Sequence, residues 1–332
     1  GFRASDFFRI SDFGFRISAL ALSCLLTLLL SGCARQPHAS DQPSAVTAAP
    51  LVWPPPPSPA RIIHVQNITA PKDLGIKGSA WDRVANFFTG GSKGAERLIT
   101  PSGVAVDEAG NLCIADAGAG AVLFFDRART TCERWEKIGK LKFITPVAVA
   151  KAGDTLFVAD AGLQSVVVFD TRGKLRCLLT NGVQRPAGLA VLGDKLFVAD
   201  APAHQVAAFD FTGRHLFSFG RRGAGPGELN FPTHLATDGR ERLFVTDSMN
   251  ARIQIFDATG KPLATIGRRG DSSGHLSRPK GVALDSAGHV YVVDALFDNF
   301  QIFDQAGQFL LDVGGTGSKA GEFWLPAGVA IN

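Results

Sequence analysis

A proline recurs along this chain at Pro101, Pro146, Pro186, Pro232, Pro279 and Pro326, at intervals of 45, 40, 46, 47 and 47 residues. Four residues after each stands an alanine: Ala105, Ala150, Ala190, Ala236, Ala283 and Ala330. An acid then closes a short apolar run at Asp116, Asp160, Asp200, Asp247 and Asp294. Ten residues past each acid comes a second aspartate, preceded by phenylalanine: Phe125-Asp126, Phe169-Asp170, Phe209-Asp210, Phe256-Asp257 and Phe303-Asp304. Chance does not hold a ten-residue interval five times, so one structural unit is repeated, and the repeat decides the architecture before any single motif does.

Each unit reads as four strands. In the clearest case these are Val282 to Leu284, Val290 to Val293, Phe300 to Phe303 and Gln308 to Val313. Continuous apolar runs of this kind suit strands covered on both faces, as in sheets stacked on neighbouring sheets. Asp285 to Gly288 and Asp304 to Gly307 fit type I hairpin turns, the aspartate bonding the backbone and the glycine closing. Four strands in 40–47 residues is the pattern of a β-propeller blade. The recurrent alanine is expected near the axis, where innermost strands converge. Pro232 to Asp257 (PTHLATDGRERLFVTDSMNARIQIFD), with Asp247, Asn250 and Arg252, resembles the NHL repeat most fully. The resemblance is strong over 97–332 and weak over 61–96, and implies an all-β, six-bladed propeller of four-stranded blades. Where that blade has Arg252, the others have Ala121, Ser165, Gln205 and Asn299, so the Asp–Arg pair belongs to one blade.

The N-terminal region has a different logic. Ala19 to Leu30 is a twelve-residue apolar run, too short to span a bilayer, which takes about 20 residues. It reads as the core of a signal peptide. The following Leu30-Ser31-Gly32-Cys33 resembles the bacterial lipobox, which implies lipidation of Cys33 and, with Ala34 next, an outer-membrane rather than inner-membrane destination. Upstream, FRASDF, FRISDF and FRIS repeat one hexad, a low-complexity start with no core to build. Residues 34–60 hold eight prolines and suit an extended tether. The domains are therefore 1–33 (start and signal), 34–60 (linker) and 61–332 (propeller).

At the far end the chain stops after the first strand of a sixth blade. Arg61 to Ile68 is expected as an outer strand closing that blade, and the intact product is expected to continue beyond Asn332. Ser79 to Asp82 suits a capping box, with Trp81, Val84 and Phe88 on one face of a short inserted helix.

Motifs for chemistry are sparse. Gly270-Asp271-Ser272-Ser273-Gly274 has the spacing of a nucleophile elbow, but Gly223 to Gly227 and Gly317 to Gly321 fill the same slot in other units, so it is read as a connecting loop. Related propellers include zinc- or calcium-dependent lyases and lactonases with axial ligands from several blades. The slot two residues after each proline is taken as axis-facing; it holds Gly103, Ala148, Gly188, His234, Gly281 and Gly328. One histidine is not a ligand set, so no metal site and no cofactor are assigned, and no catalytic residue. Cys113 reads as a core filler, and Cys132 and Cys177 as a pair able to form a disulfide in an oxidising compartment.

The doublets Arg221-Arg222 and Arg268-Arg269 follow the last strands of adjacent units, with His275, Arg278 and Lys280 in the second loop. Together with His234 they are the candidate ligand- or partner-binding residues, facing an envelope protein or acidic ligand. A net charge of +4 is too small to argue for nucleic acid. The expectation is a monomeric, lipid-anchored binding or scaffolding module of the cell envelope. The alternative is a metal-dependent lyase or lactonase centred near His234.

Overall fold

The computed structural model describes residues 50–76 and 97–331. Five antiparallel four-stranded sheets succeed one another along the chain, each ordered from the first strand inside to the fourth outside. Blade 1 comprises Pro101–Val106, Leu112–Asp116, Ala121–Asp126 and Thr131–Trp135. Blade 2 comprises Pro146–Ala152, Thr155–Asp160, Ser165–Asp170 and Leu175–Leu179, and blade 3 Pro186–Leu192, Lys195–Asp200, Gln205–Asp210 and His215–Phe219. Blade 4 comprises Pro232–Thr237, Arg242–Asp247, Arg252–Asp257 and Pro262–Ile266, and blade 5 Pro279–Leu284, Val290–Asp294, Asn299–Phe303 and Phe309–Gly314. Each of the first five recurring prolines begins an innermost strand, and every first aspartate ends the second.

The apolar runs have their physical reason in stacking. Thr155–Asp160 and Ser165–Asp170 are buried at every residue, whereas Pro262–Ile266 on an outer edge is exposed at four of five. The core is a series of inter-blade layers. Phe157 and Val168 of blade 2 pack with Leu196 and Phe209 of blade 3, and Phe197 and Val206 of blade 3 with Leu243 and Phe256 of blade 4. The recurrent alanine stands opposite a bulky partner on the second strand: Ala150 opposite Phe157, Ala190 opposite Phe197, Ala236 opposite Phe244, Ala283 opposite Tyr291. Small opposite large keeps the layer thickness even, a cause the convergence of strands does not by itself supply.

Both aspartates are structural. The first is fully buried in all five blades and clamps the connection entering its own blade. Asp116 accepts from the N–H groups of Ile99 and Thr100 at 2.7 and 2.8 Å, and Asp160 from Ile144 and Thr145 at 2.8 and 2.9 Å. Asp200 does the same for Gln184 and Arg185, and Asp294 for Ser277 and Arg278. In blade 4, Asp247 accepts from Asn230 N–H at 2.6 Å and pairs with Arg252 at 2.8 Å. The second aspartate caps the outer hairpin turn: Asp210 accepts from the N–H groups of Thr212 and Arg214, both at 3.0 Å.

The Thr212 hydroxyl and the Arg214 N–H hold the Asp210 carboxyl down to about 2, from an ordinary 3.8. A folded pKa below the unfolded one gives stability that is complete above about pH 4 and lost as the pH falls toward about 2. Acid unfolding of the wild type and Asp210→Asn should therefore differ near neutrality and converge at about pH 2; curves still separate there would assign the turn's stability to something other than this carboxylate.

The sixth position corrects the six-blade expectation. Among the described residues there are five complete blades. Of these residues, the irregular segment 326–331 is what lies between blades 5 and 1, where Gly281 N–H donates to Ala327 O at 2.8 Å. No second strand lies beside it among the described residues, so it builds no sheet. Nor does Arg61 to Ile68 supply an outer strand. Ile62–Ile63 pairs instead with Val52–Trp53 from the proline-rich stretch, and Leu51 and Trp53 of that hairpin crowd Gly321. Pro71–Leu74 forms one 3-10 turn, and the helix expected over Ser79 to Phe88 lies outside the described residues.

Candidate functional site

A cavity of about 510 Å³ opens at the axis, on the end of the propeller where innermost strands begin. Its walls include Ser102, Val147, Ala187, Thr233, Lys280 and Ala327, the residue immediately after each recurring proline. The reason is a break in register. In blade 1 Pro101 pairs with Asp116 but Gly103 already pairs with Ala115; in blade 3 Pro186 pairs with Asp200 and Gly188 with Ala199. A bulged residue is turned out of its sheet, here into the axial space, which is how bulges re-aim side chains near sites.

The slot two residues after the proline therefore has another role. There the innermost strand meets the backbone of the next blade. A Cβ on Gly188 would stand 2.8 Å from His234 Cα and still closer to the Thr233 carbonyl, and one on Gly103 would be 2.6 Å from Ala148 Cα. Glycine recurs there because two backbones touch. Ala148 and His234 are the two residues of the slot that are not glycine, and of the six only His234 lines the cavity, its Nδ1 buried without a hydrogen-bond partner. Burial, then the nearby Lys280 charge, drives its pKa down to about 4, with the Ser102 backbone acting in the opposite direction, so the ring is neutral at physiological pH.

The cavity is cationic. Arg185, Arg278 and Lys280 line it and no carboxylate does. Two of them are held by the aspartate clamps, since Asp200 takes the Arg185 N–H and Asp294 the Arg278 N–H. Lys280 is half-buried in the bulge, its carbonyl accepting from Thr246 Oγ1 of blade 4 at 2.8 Å; burial and then Arg278 lower its pKa. The Thr233 hydroxyl is also buried without a partner.

The sequence-level candidates distribute differently. Arg221 is paired with Glu228 at 3.0 Å, and Arg268 donates to His275 Nε2 at 2.9 Å. Arg269 reaches the carbonyl of Met249, itself a cavity residue, and so is the only member of the doublets in contact with the cavity wall among the described residues. Arg222 and Arg269 form equivalent backbone bridges, to Leu229 and Leu276. The doublets thus belong to matched connections between blades. Gly270 to Gly274 is such a connection: Gly274 N–H donates to Gln301 as Gly227 N–H does to Gln254, and Ser272 Oγ bonds only Asp271. Arg185 and Thr233 escaped the sequence reading; the signal available for both was their position beside a recurring proline.

The metal expectation is tested by the donors present. One imidazole beside a lysine and two arginines repels a divalent cation, and among the described residues no three His, Cys, Asp or Glu side chains converge. Axial zinc or calcium does not fit these residues. Cys113, Cys132 and Cys177 are unbonded. Cys132 packs with Ile114 and Phe125, Cys177 with residues between blades 2 and 3, so the two thiols serve different layers and the disulfide does not form. Burial pushes the Cys113 thiol up to about 12, as expected of a core filler. Cys33 lies outside the described residues.

Repeated four-stranded blades around an axial cavity define a β-propeller. More particularly, one of its repeats carries a family signature: the family model described as NHL repeat matches residues 276–303, in the fifth blade. Among solved structures the chain is similar to a catalytically inactive virginiamycin B lyase from Staphylococcus aureus with quinupristin. The TM-score is 0.52 at 13% identity, over 70% of this chain and 74% of that one. A selenomethionine-substituted virginiamycin B lyase from the same organism gives 0.51 at 11% identity, over 66% and 75%. A streptogramin B lyase gives 0.50 at 13%, over 63% and 67%. At these identities the likeness is one of fold. No curated protein matches the chain.

Proposed function

We propose that this protein is a binding module whose axial cavity takes an anionic group, presented in the cell envelope by a lipid anchor at Cys33. The observation that carries the reading is the cavity wall: three cationic side chains, no carboxylate, and the polar atoms of Thr233 and His234 without partners. Cations held apart from any counter-charge gain most from an incoming carboxylate or phosphate, and arginine gives such groups paired hydrogen bonds. The segment 326–331, lying where a sixth innermost strand belongs, supports six positions around the axis. Export, outer-membrane attachment and a monomeric state rest on the signal-like run, the lipobox resemblance and the expectation of a self-contained ring. Nucleic acid is a poor partner for a modest net charge of +4 in that compartment.

Calorimetric titration with inorganic phosphate and with citrate at low ionic strength should show one site per chain, weakening as salt is raised. Lys280→Ala should weaken binding by roughly 10- to 100-fold, the equivalent of about 1.5–3 kcal/mol for a charge-assisted hydrogen bond. Equal affinity in the wild type and in Lys280→Ala/Arg278→Ala would remove the cavity from consideration. The placement of His234 in the cavity is all that favours the alternative, a metal-dependent lyase or lactonase, whose cation the lysine and two arginines would repel. About one zinc or calcium per purified chain by elemental mass spectrometry would support that alternative over the first reading.

A further inference from the structure

Around the cavity, exposed apolar side chains stand beside the exposed Arg185 and Arg278, while Lys280 is half-buried in the wall. Two sets of residues form this end of the propeller, the turns between second and third strands and the two residues before each recurring proline. Ile99, Ile144, Phe231, Met249, Leu296 and Trp324 all belong to these sets and are exposed, Trp324 at 73%, Ile99 at 63% and Leu296 at 60%. The fully buried clamp aspartates apart, the only acid in either set is Asp298, which is buried and spent on Leu325 N–H and the Thr316 hydroxyl. Large apolar side chains collected on one end mark an interaction surface rather than the scatter usual on a monomer.

From this charge and polarity pattern we infer that the cavity end docks a protein segment in which an acidic residue is flanked by apolar ones, the carboxylate entering the cavity toward Lys280 and Arg278 and its neighbours lying on the rim. The inference rests on the anion-binding reading and adds the class of partner. A free small anion would use the cations and leave the apolar side chains without purpose. An acidic segment with polar flanks would gain nothing from Trp324 or Phe231. Large apolar side chains beside cations that lack a carboxylate in the cavity wall are an arrangement in which a few anchors dominate binding.

The test is an arrayed peptide library with the central position set to Glu, Asp, Gln or Asn and the flanking positions varied, probed with the full chain. Bound peptides should carry a central acid between apolar residues. Changing that acid to its amide, or the flanks to serine, should each weaken binding by about tenfold or more. The variant Ile99→Ser/Leu296→Ser/Trp324→Ser should lose the peptides and keep phosphate affinity, which also shows that it folds. If this variant holds the peptides as tightly as the wild type, or if acid-centred peptides bind regardless of flanks, the rim proposal is overturned while the anion site stands. If phosphate does not bind at all, the underlying reading fails first. Sedimentation with phosphatidylglycerol vesicles, with no peptide selected, would overturn the proposal in favour of a lipid surface.

Discussion

Gly188→Val should destabilise the protein by at least about 3 kcal/mol, which for a chain of this size lowers the thermal midpoint by roughly 5 °C. The expectation follows from one contact. A Cβ at Gly188 would stand 2.8 Å from His234 Cα and nearer still to the Thr233 carbonyl. What it meets is the backbone of the next innermost strand, not the end of a flexible side chain, so relief requires moving blade 4 against blade 3. Gly188→Ala should cost about 1–3 kcal/mol for the same reason. Gly315, with nothing within 4 Å of its would-be Cβ, is the control, and Gly315→Ala should stay within about 0.5 kcal/mol of wild type. Scanning calorimetry of the three variants decides the matter. If Gly188→Val melts with the wild type, the close approach of blades 3 and 4 is not what selects glycine there.

The second large effect is expected at Asp294. Its carboxylate is fully buried and accepts from the N–H groups of Ser277, Arg278 and Leu296 at 2.7, 3.1 and 3.0 Å. Truncation to alanine leaves these donors without an acceptor in a place water does not reach, and about 3–5 kcal/mol should be lost in urea denaturation. The same change frees the backbone of Arg278, so phosphate affinity should fall in the molecules that remain folded. Asp294→Asn keeps the volume and one acceptor oxygen and should lie between alanine and wild type. A loss below about 1 kcal/mol for Asp294→Ala would show that the connection holds itself without the clamp. Unchanged phosphate binding in that variant would separate the clamp from the site.

These two positions also show how far a linear reading reaches. The interval from proline to acid to Phe-Asp exposed the blade, because each is a local device with a local signature: a strand start without an N–H, a carboxylate for orphaned turn donors, a cap for a hairpin. The strand boundaries expected for the fifth unit agree with Pro279–Leu284, Val290–Asp294, Asn299–Phe303 and Phe309–Gly314 to within three residues. The axial face was missed by one residue. Strand alternation has a period of two, so an unseen bulge after each proline exchanges the face toward the axis for the face toward the next blade. His234 lines the cavity all the same, whereas the glycines assigned there are contacts between backbones.

The arginine doublets stand outside the cavity lining for a related reason. Adjacent positive charges stand out in a string of letters, but their partners Glu228, His275 and the Met249 carbonyl are set by a bridge between a connection and its own return. Arg185 and Arg278, single arginines before a proline, look ordinary in sequence and converge only because separate blades meet at one axis. The sequence by itself thus determined the repeating unit, its four strands, its two recurrent aspartates and the resemblance to the NHL pattern, all features within about thirty residues. Tertiary structure alone decided the number of complete blades, which residue of each innermost strand faces the cavity, and which charges remain unpaired, because each depends on backbones from different repeats meeting at distances no single repeat encodes.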